Sequence, residues 1–150
     1  MQVNLICVEK NESLFQALND KYIKLISNFA TIKELSIFNA QIKLAQKQGQ
    51  IQAQKSYTKH LSPYKKGFCV ILHEEGKSLS SLEFAKFLQD KNEISFFIGG
   101  AFGFEKSFIE SFDLSLSLSA FTLAHHLAKI ILLEQIYRAF CINSKHPYHK

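Results

Sequence analysis

Four groups of residues in this 150-residue chain have types and spacing that could do chemistry. The first is Gly99-Gly100-Ala101-Phe102-Gly103, which follows the apolar run EISFFI. Glycines at a strand-to-helix turn let the backbone approach a ligand closely. A tight turn needs the same residues, and neither a G-x-G-x-x-G pattern nor a phosphate-cradling G-K-S/T follows. The second is Arg138, the single arginine among eighteen basic residues. Lysine serves every other positive charge, so a lone arginine points to a planar, permanently charged fork facing carboxylate or phosphate. The alternative is an ion pair with Glu134, four residues earlier on the same helix face. The third is the tail Lys145-His146-Pro147-Tyr148-His149-Lys150, a polar, aromatic and basic lip able to stack on and hydrogen-bond a nucleobase. Its two His lack a nearby Cys or carboxylate, so no metal is expected there. The fourth, His125-His126, has no nucleophile elbow to serve and reads as capping and packing residues. Glu110 and Asp113 read as solvent-facing, and hydrolase signatures are missing.

The elements that must position these groups alternate along the chain. Val3 to Val8 is a first strand, and a helix from about Glu12 to Phe29 keeps Leu14, Leu18, Tyr22, Leu25, Ile26 and Phe29 three or four apart. Thr31 to Asn39 alternates as a second strand, and residues 40 to about 60 form a polar, basic helix that Gly49 weakens. FCVIL is a short buried strand, HEEGKS turns the chain, and Ser80 or Ser81 caps a helix to about Lys91. EISFFIGG is another buried strand, Glu105 to Ser111 a short helix, Asp113 to Ser119 an alternating strand, and His125 to Asn143 the last helix. Strands separated by helices imply an α/β three-layer α/β/α sandwich with a parallel-rich sheet, one domain over residues 1–150. In the last helix Ile130, Ile131, Leu132 and Leu133 cover every face of the cylinder. Either a twin subunit covers the outer side, giving a two-fold dimer, or the helix is wholly internal.

Composition narrows the class. With 47% hydrophobic and 21% charged residues the chain is neither disordered nor fibrous. No apolar stretch approaches the about 20 residues a bilayer span needs. The amino-terminal residues lack the basic start and small-residue cleavage site of a secretory signal. Cys7, Cys69 and Cys141 are isolated in apolar runs and read as buried free thiols of a reducing cytoplasm. Charge is uneven: residues 1–66 carry ten Lys against four acids, a net of +6, whereas residues 67–150 carry a net of −1. No acid occurs between Glu34 and Glu74, a stretch holding Lys43, Lys47, Lys55, Lys59, Lys65 and Lys66. Such a face attracts polyanions through counterion release, unless it is simply a solvated helix.

Three segments together, IGGAFGF, LSLSAFTLAHH, and LLEQIYRAF with the terminal HPYHK, resemble the RlmH-type ribosomal large-subunit pseudouridine N3-methyltransferases of the SPOUT class. The likeness is strong over residues 94–150 and extends across VILHEEGKSLSSLEFAKFL. It implies an α/β sheet whose carboxyl-terminal segment forms a deep trefoil knot, a rare exception to the usual topology rules. It also implies S-adenosylmethionine held mainly by backbone groups. Carried over residue by residue, those contacts fall on Leu72, Gly99, Leu118, Ser119, Ala120, Phe121, Thr122 and Leu123. A homodimer through the last helix is implied, with one subunit's tail over the other's cofactor, which would use Arg138, Tyr148 and His149. The implied substrate is a pseudouridine of 23S ribosomal RNA in the assembled ribosome, with no metal and no membrane. Three positions depart from the family pattern. Ala124 replaces the usual Pro, Lys129 the usual Arg, and the first strand ends CVEK without the usual glycine-lysine. Ala124 is expected to loosen the cofactor loop, and Lys129 to weaken an RNA contact. Alternatives are a non-catalytic RNA- or nucleotide-binding α/β protein, and a SPOUT enzyme acting on transfer RNA.

The implied chemistry is in-line methyl transfer. Acceleration would come from holding N3 and the methyl carbon about 3–3.5 Å apart and aligned. His149 would take the N3 proton and Arg138 would stabilise the anionic base ring.

Overall fold

A computed structural model describes residues 1–10 and 13–149. The expected helix start at Glu12 and the closing Lys150 lie outside the described residues. Five strands, β1 (Gln2–Cys7), β2 (Thr31–Ser36), β3 (Phe68–Ser78), β4 (Glu93–Ile98) and β5 (Leu114–Ser117), form one sheet. Its order is β2-β1-β4-β3-β5, and every pairing is parallel. The helices are α1 (Ser13–Ile26), α2 (Ala40–Lys47), α3 (Gln50–Leu61), α4 (Ser81–Gln89), α5 (Lys106–Glu110) and α6 (His125–Asn143), with a short 3-10 turn at Ser62–Tyr64.

The period of two along the strands divides the core. Val3, Leu5, Cys7, Ile94, Phe96 and Ile98 point to the layer of α1, α4 and α6. Ile6, Val8, Ile71 and Phe97 point to the other layer, where Ile42 of α2, Ala53, Tyr57 and Leu61 of α3, and Phe108 of α5 close the second core. Both faces are covered, as a parallel sheet requires. The three-layer architecture expected from the alternation of elements is the one observed. Helix α6 is not wholly internal: Leu127 is 45% exposed, while Leu132, Leu133 and Ile136 are fully buried.

Local departures have local causes. The basic helix expected over 40–60 is two helices broken at Gly49, whose φ of 109° suits glycine. Helix α1 ends at Ile26 and β2 at Ser36, each shorter than the apolar pattern alone. HEEGKS does not turn the chain. It continues β3 to Ser78, with Leu72 and Lys77 both in register with Leu116, so that β3 bulges outward between them. Gly76 makes that path possible, because a Cβ there would lie 2.7 Å from the backbone of Ser115. Ser80 caps α4 in a full capping box with Glu83.

Candidate functional site

A cavity of about 660 Å³ opens at the carboxyl ends of β3, β4 and β5, where parallel sheets usually bind ligands. The glycine turn Gly99–Gly103 forms one wall, and the segment from Leu116 through Ala124 forms another. Leu72, His73 and Glu74 from the β3 bulge, and Gln50 and Gln54 from α3, complete it. Of the eight residues the family resemblance assigns to the cofactor, Leu72, Gly99, Leu118, Ser119, Phe121, Thr122 and Leu123 line this cavity; Ala120 is exposed on the same loop and does not. The loop is held from within: Ser117 Oγ donates to Ser119 O at 2.9 Å, and the Phe121 amide donates to Ser119 Oγ at 2.9 Å. Thr122 Oγ1 donates to Glu74 at 2.6 Å, tying the loop to the β3 bulge.

Two of the three glycines in the turn are sterically required. A Cβ on Gly99 would sit 2.9 Å from the Phe104 ring, and one on Gly100 would sit 2.8 Å from the Tyr57 hydroxyl. Gln54 donates to Phe102 O at 2.9 Å and fixes the outer edge of the turn. The walls are largely apolar side chains and backbone, and the volume is within the range of pockets that hold cofactor-sized molecules. An S-adenosylmethionine-sized group therefore fits the residues present.

Arg138, Tyr148 and His149 are brought together, but at a distance from this cavity. Glu134 is their hub. Arg138 Nε and Nη2 donate to its Oε1 at 3.0 and 2.5 Å, and the Tyr148 hydroxyl donates to the same oxygen at 2.9 Å. The Arg138 fork lies 4.8 Å over the Tyr148 ring, and Nη1 is 3.4 Å from His149 Nδ1. Burial, followed by the bond to Glu134, pushes the Tyr148 phenol well above the ordinary range. Arg138 thus forms the ion pair with Glu134 that its spacing allows, and it also contacts the tail. Sequence reasoning treated Glu134 only as a counter-ion, although its i,i+4 spacing was the available signal.

A second charged cluster joins β1, β2 and α6. The Lys129 ammonium contacts both Glu9 and Glu34, and it is only 6% exposed. This corrects the expectation of an RNA contact at Lys129, since its charge is spent inside the subunit. Burial opposes that charge, but the two carboxylates outweigh it and hold the lysine above its ordinary pKa. The neighbouring Cys7 thiol is pushed far up by burial and stays neutral. His126 Nδ1 lies 3.1 Å from Glu9 Oε2 and stacks on Phe15. The packing role expected of His126 holds; the capping role does not, because α6 starts after Ala124 with no side-chain cap and His125 lines the cavity. Glu9, His125 and His126 bring ligand atoms within 4.8 Å of one another. The Lys129 ammonium and the positive end of α6 at the same place both oppose a cation there. Asp113 is exposed as expected, yet it also accepts the Cys69 amide at 2.7 Å.

Fold and cavity together define an α/β protein with a glycine-walled pocket at the ends of its parallel strands. The profile of a family described as predicted SPOUT methyltransferase matches residues 1–149, and the chain belongs to that family. It is 57% identical over 150 residues to the ribosomal RNA large subunit methyltransferase H of Campylobacter jejuni subsp. jejuni (strain 81-176), covering the whole of both chains. It is 56% identical over 151 residues to the protein of that name from Campylobacter lari, again over both whole chains. Among solved structures, a putative RNA methyltransferase from Bacillus anthracis superposes with a TM-score of 0.56 at 16% identity, covering 97% of this chain and 96% of that one. A probable methylase family protein from Haemophilus influenzae gives 0.57 at 14% identity, covering 99% and 70%. These two likenesses are of fold alone. No helix of the described residues is long and apolar enough to cross a membrane.

Proposed function

We propose that the protein is an S-adenosylmethionine-dependent methyltransferase acting on N3 of a pseudouridine in 23S ribosomal RNA, within the assembled ribosome and in the cytoplasm. The observation that carries this reading is the 660 Å³ cavity walled by seven of the residues the family resemblance assigns to the cofactor. The names of the full-length relatives support ribosomal RNA of the large subunit as the substrate. The trefoil knot of the carboxyl-terminal segment is part of this proposal and rests on the family resemblance.

S-adenosylmethionine, when bound, supplies a methyl group activated on a sulfonium. Leu72, Leu118 and Leu123 exclude water, and the close-set backbone at Gly99 and from Leu118 to Leu123 offers hydrogen-bonding groups without side-chain obstruction. Arg138 holds positive charge where the base ring becomes anionic, and His149 takes the N3 proton. Tyr148 keeps both in place through Glu134.

Within one subunit the two parts do not meet. Ala128 lines the cavity, and Arg138 is ten residues further along α6, about 15 Å by helical rise. A two-fold homodimer through α6 closes the gap by laying one subunit's tail over its partner's cavity. Exposed Leu127 on α6, Leu14 and Leu18 on α1 and Leu82 on α4 provide the apolar surface for that contact.

The test is methyl transfer from labelled S-adenosylmethionine to ribosomes from a strain lacking this enzyme, followed by mass-spectrometric mapping of the modified nucleotide. Label at N3 of a 23S pseudouridine is the expected result; label in transfer RNA, or none with no heat of cofactor binding, overturns the reading. An Arg138→Ala, His149→Ala double variant that methylates normally removes those two residues from the mechanism.

A further inference from the structure

We propose that the α2–α3 hairpin is a docking surface for the RNA phosphate backbone, placed to lay RNA across the mouth of the cavity. The proposal deepens the functional reading above and rests on it for the identity of the polyanion.

The two helices run antiparallel: His60 meets Gln41 at one end, and Gln46 donates to Tyr57 at 2.6 Å nearer the other. The connection at Gln48–Gly49 therefore forms the tip, and Gln50 and Gln54, the first turns after it, line the cavity. The tip stands at the cavity rim. Ile42 and Ala45 of α2 and Ala53, Tyr57 and Leu61 of α3 face inward, which fixes the outer face.

Lys43 and Lys47 share one outer face of α2, and Lys55 and Lys59 one outer face of α3, each pair four residues apart. All four are exposed, and among the described residues none of them forms an ion pair with a carboxylate. Three lysines outside the hairpin are spent locally, Lys129 on Glu9 and Glu34, Lys106 on Glu110, and Lys65 on the backbone oxygen of Ser111. Lys21, Lys24, Lys33 and Lys86 are exposed without an ion pair among the described residues, but they lie on other elements, away from the residues that line the cavity. Glu105 reaches α3, but Thr58 Oγ1 holds its carboxylate at 2.5 Å. The remaining outer polar positions of the hairpin are mainly glutamines, which donate and accept without adding negative charge. Leu44 and Ile51 are also exposed on the hairpin, but its charged and polar surface of unpaired ammonium groups and amides fits a phosphate backbone, which it contacts without reading sequence. An acidic protein surface would share the charge but not the position beside a cavity that must receive a nucleotide.

The test compares a Lys43→Gln, Lys47→Gln, Lys55→Gln, Lys59→Gln variant with the wild type and with a control carrying Lys21→Gln, Lys24→Gln, Lys33→Gln and Lys86→Gln. Each is fluorescently labelled and measured by anisotropy for binding to ribosomes from a strain lacking the enzyme, across a KCl series. Each phosphate contact contributes a slope of about 0.7–0.9 in log K against log salt, so the hairpin variant should lose roughly three units of slope. Its KM for ribosomes should rise by about tenfold or more, with kcat, melting temperature and the calorimetric affinity for S-adenosylmethionine unchanged. The control should keep the wild-type slope. An unchanged slope in the hairpin variant, or an equal loss in the control, overturns the proposal. If the wild type binds no S-adenosylmethionine the catalytic reading fails, yet the slopes still decide whether the hairpin docks RNA.

Discussion

Tyr148 donates its phenolic hydrogen to Glu134 at 2.9 Å, so the tail is folded back onto the helix it leaves. The same carboxylate oxygen holds two nitrogens of Arg138, and the Tyr148 ring packs edge-on against Tyr137 with centroids 4.7 Å apart. A hydrogen bond to a charged acceptor contributes about 1.5–3 kcal/mol. Tyr148→Phe should therefore release the tail while sparing the core. Hydrogen exchange should quicken at residues 146–149 and kcat should fall, with S-adenosylmethionine affinity retained. Glu134→Ala should do the same more severely, since it also unseats Arg138. Unaltered exchange in both variants would show that packing against Tyr137 suffices to hold the tail.

How much of this was legible depended on how local its cause was. Helix α6 and the turn after β4 were readable because an all-round apolar run and clustered glycines are contiguous in sequence. The weak point at Gly49 was readable for the same reason, although the chain breaks into two helices there instead of continuing as one. The extension of β3 was not: HEEGKS has turn composition, and only pairing with β5, about forty residues later, makes its end a strand. Lys129 was misread because Glu9, which neutralises it, lies 120 residues away. Both had been noted as departures from the family pattern, and the fold places them in contact. Sequence showed which residues were unusual but not that one answers the other.

Gly100 carries the next expectation. A Cβ there would meet the Tyr57 hydroxyl at 2.8 Å, Tyr57 Cζ at 3.1 Å and Val8 at 3.3 Å. Tyr57 is fully buried and held by Gln46, so it has little room to yield. Gly100→Ala should cost about 1–3 kcal/mol from overpacking and move the turn into the cavity. Calorimetry should register weaker S-adenosylmethionine binding alongside a lowered melting temperature. Wild-type affinity would mean that the turn can shift away from the ligand.

The Lys129 cluster should be visible in the pH dependence of stability. Lys129→Met takes the ammonium away from Glu9 and leaves that buried carboxylate only His126 and the Ser36 hydroxyl, a change that costs about 3–5 kcal/mol. The folded pKa of Lys129 is raised, so its contribution is complete below the ordinary value of 10.5 and is lost as pH climbs through the higher folded value. The difference in urea midpoint between wild type and Lys129→Met should be wide at neutral pH and should narrow across the alkaline range. A constant difference would assign the effect to packing of the lysine stem.

The separation of Ala128 from Arg138 along α6 gives the sharpest expectation for assembly. If each active centre takes its cavity from one subunit and its Arg138 from the other, two differently damaged subunits can repair one another. Arg138→Ala keeps a sound cavity, and a Gly100→Val subunit keeps a sound arginine while filling the turn beside Tyr57. Each homodimer should be nearly inactive. Co-expressed in equal amounts, half of the dimers are mixed and each mixed dimer has one sound centre, so about a quarter of wild-type activity should return. Adding Leu127→Glu to both subunits should abolish that recovery and halve the mass measured by light scattering, because it places a charge at the exposed apolar position of α6. If mixing restores nothing while light scattering still reports dimers, each centre is complete within one chain.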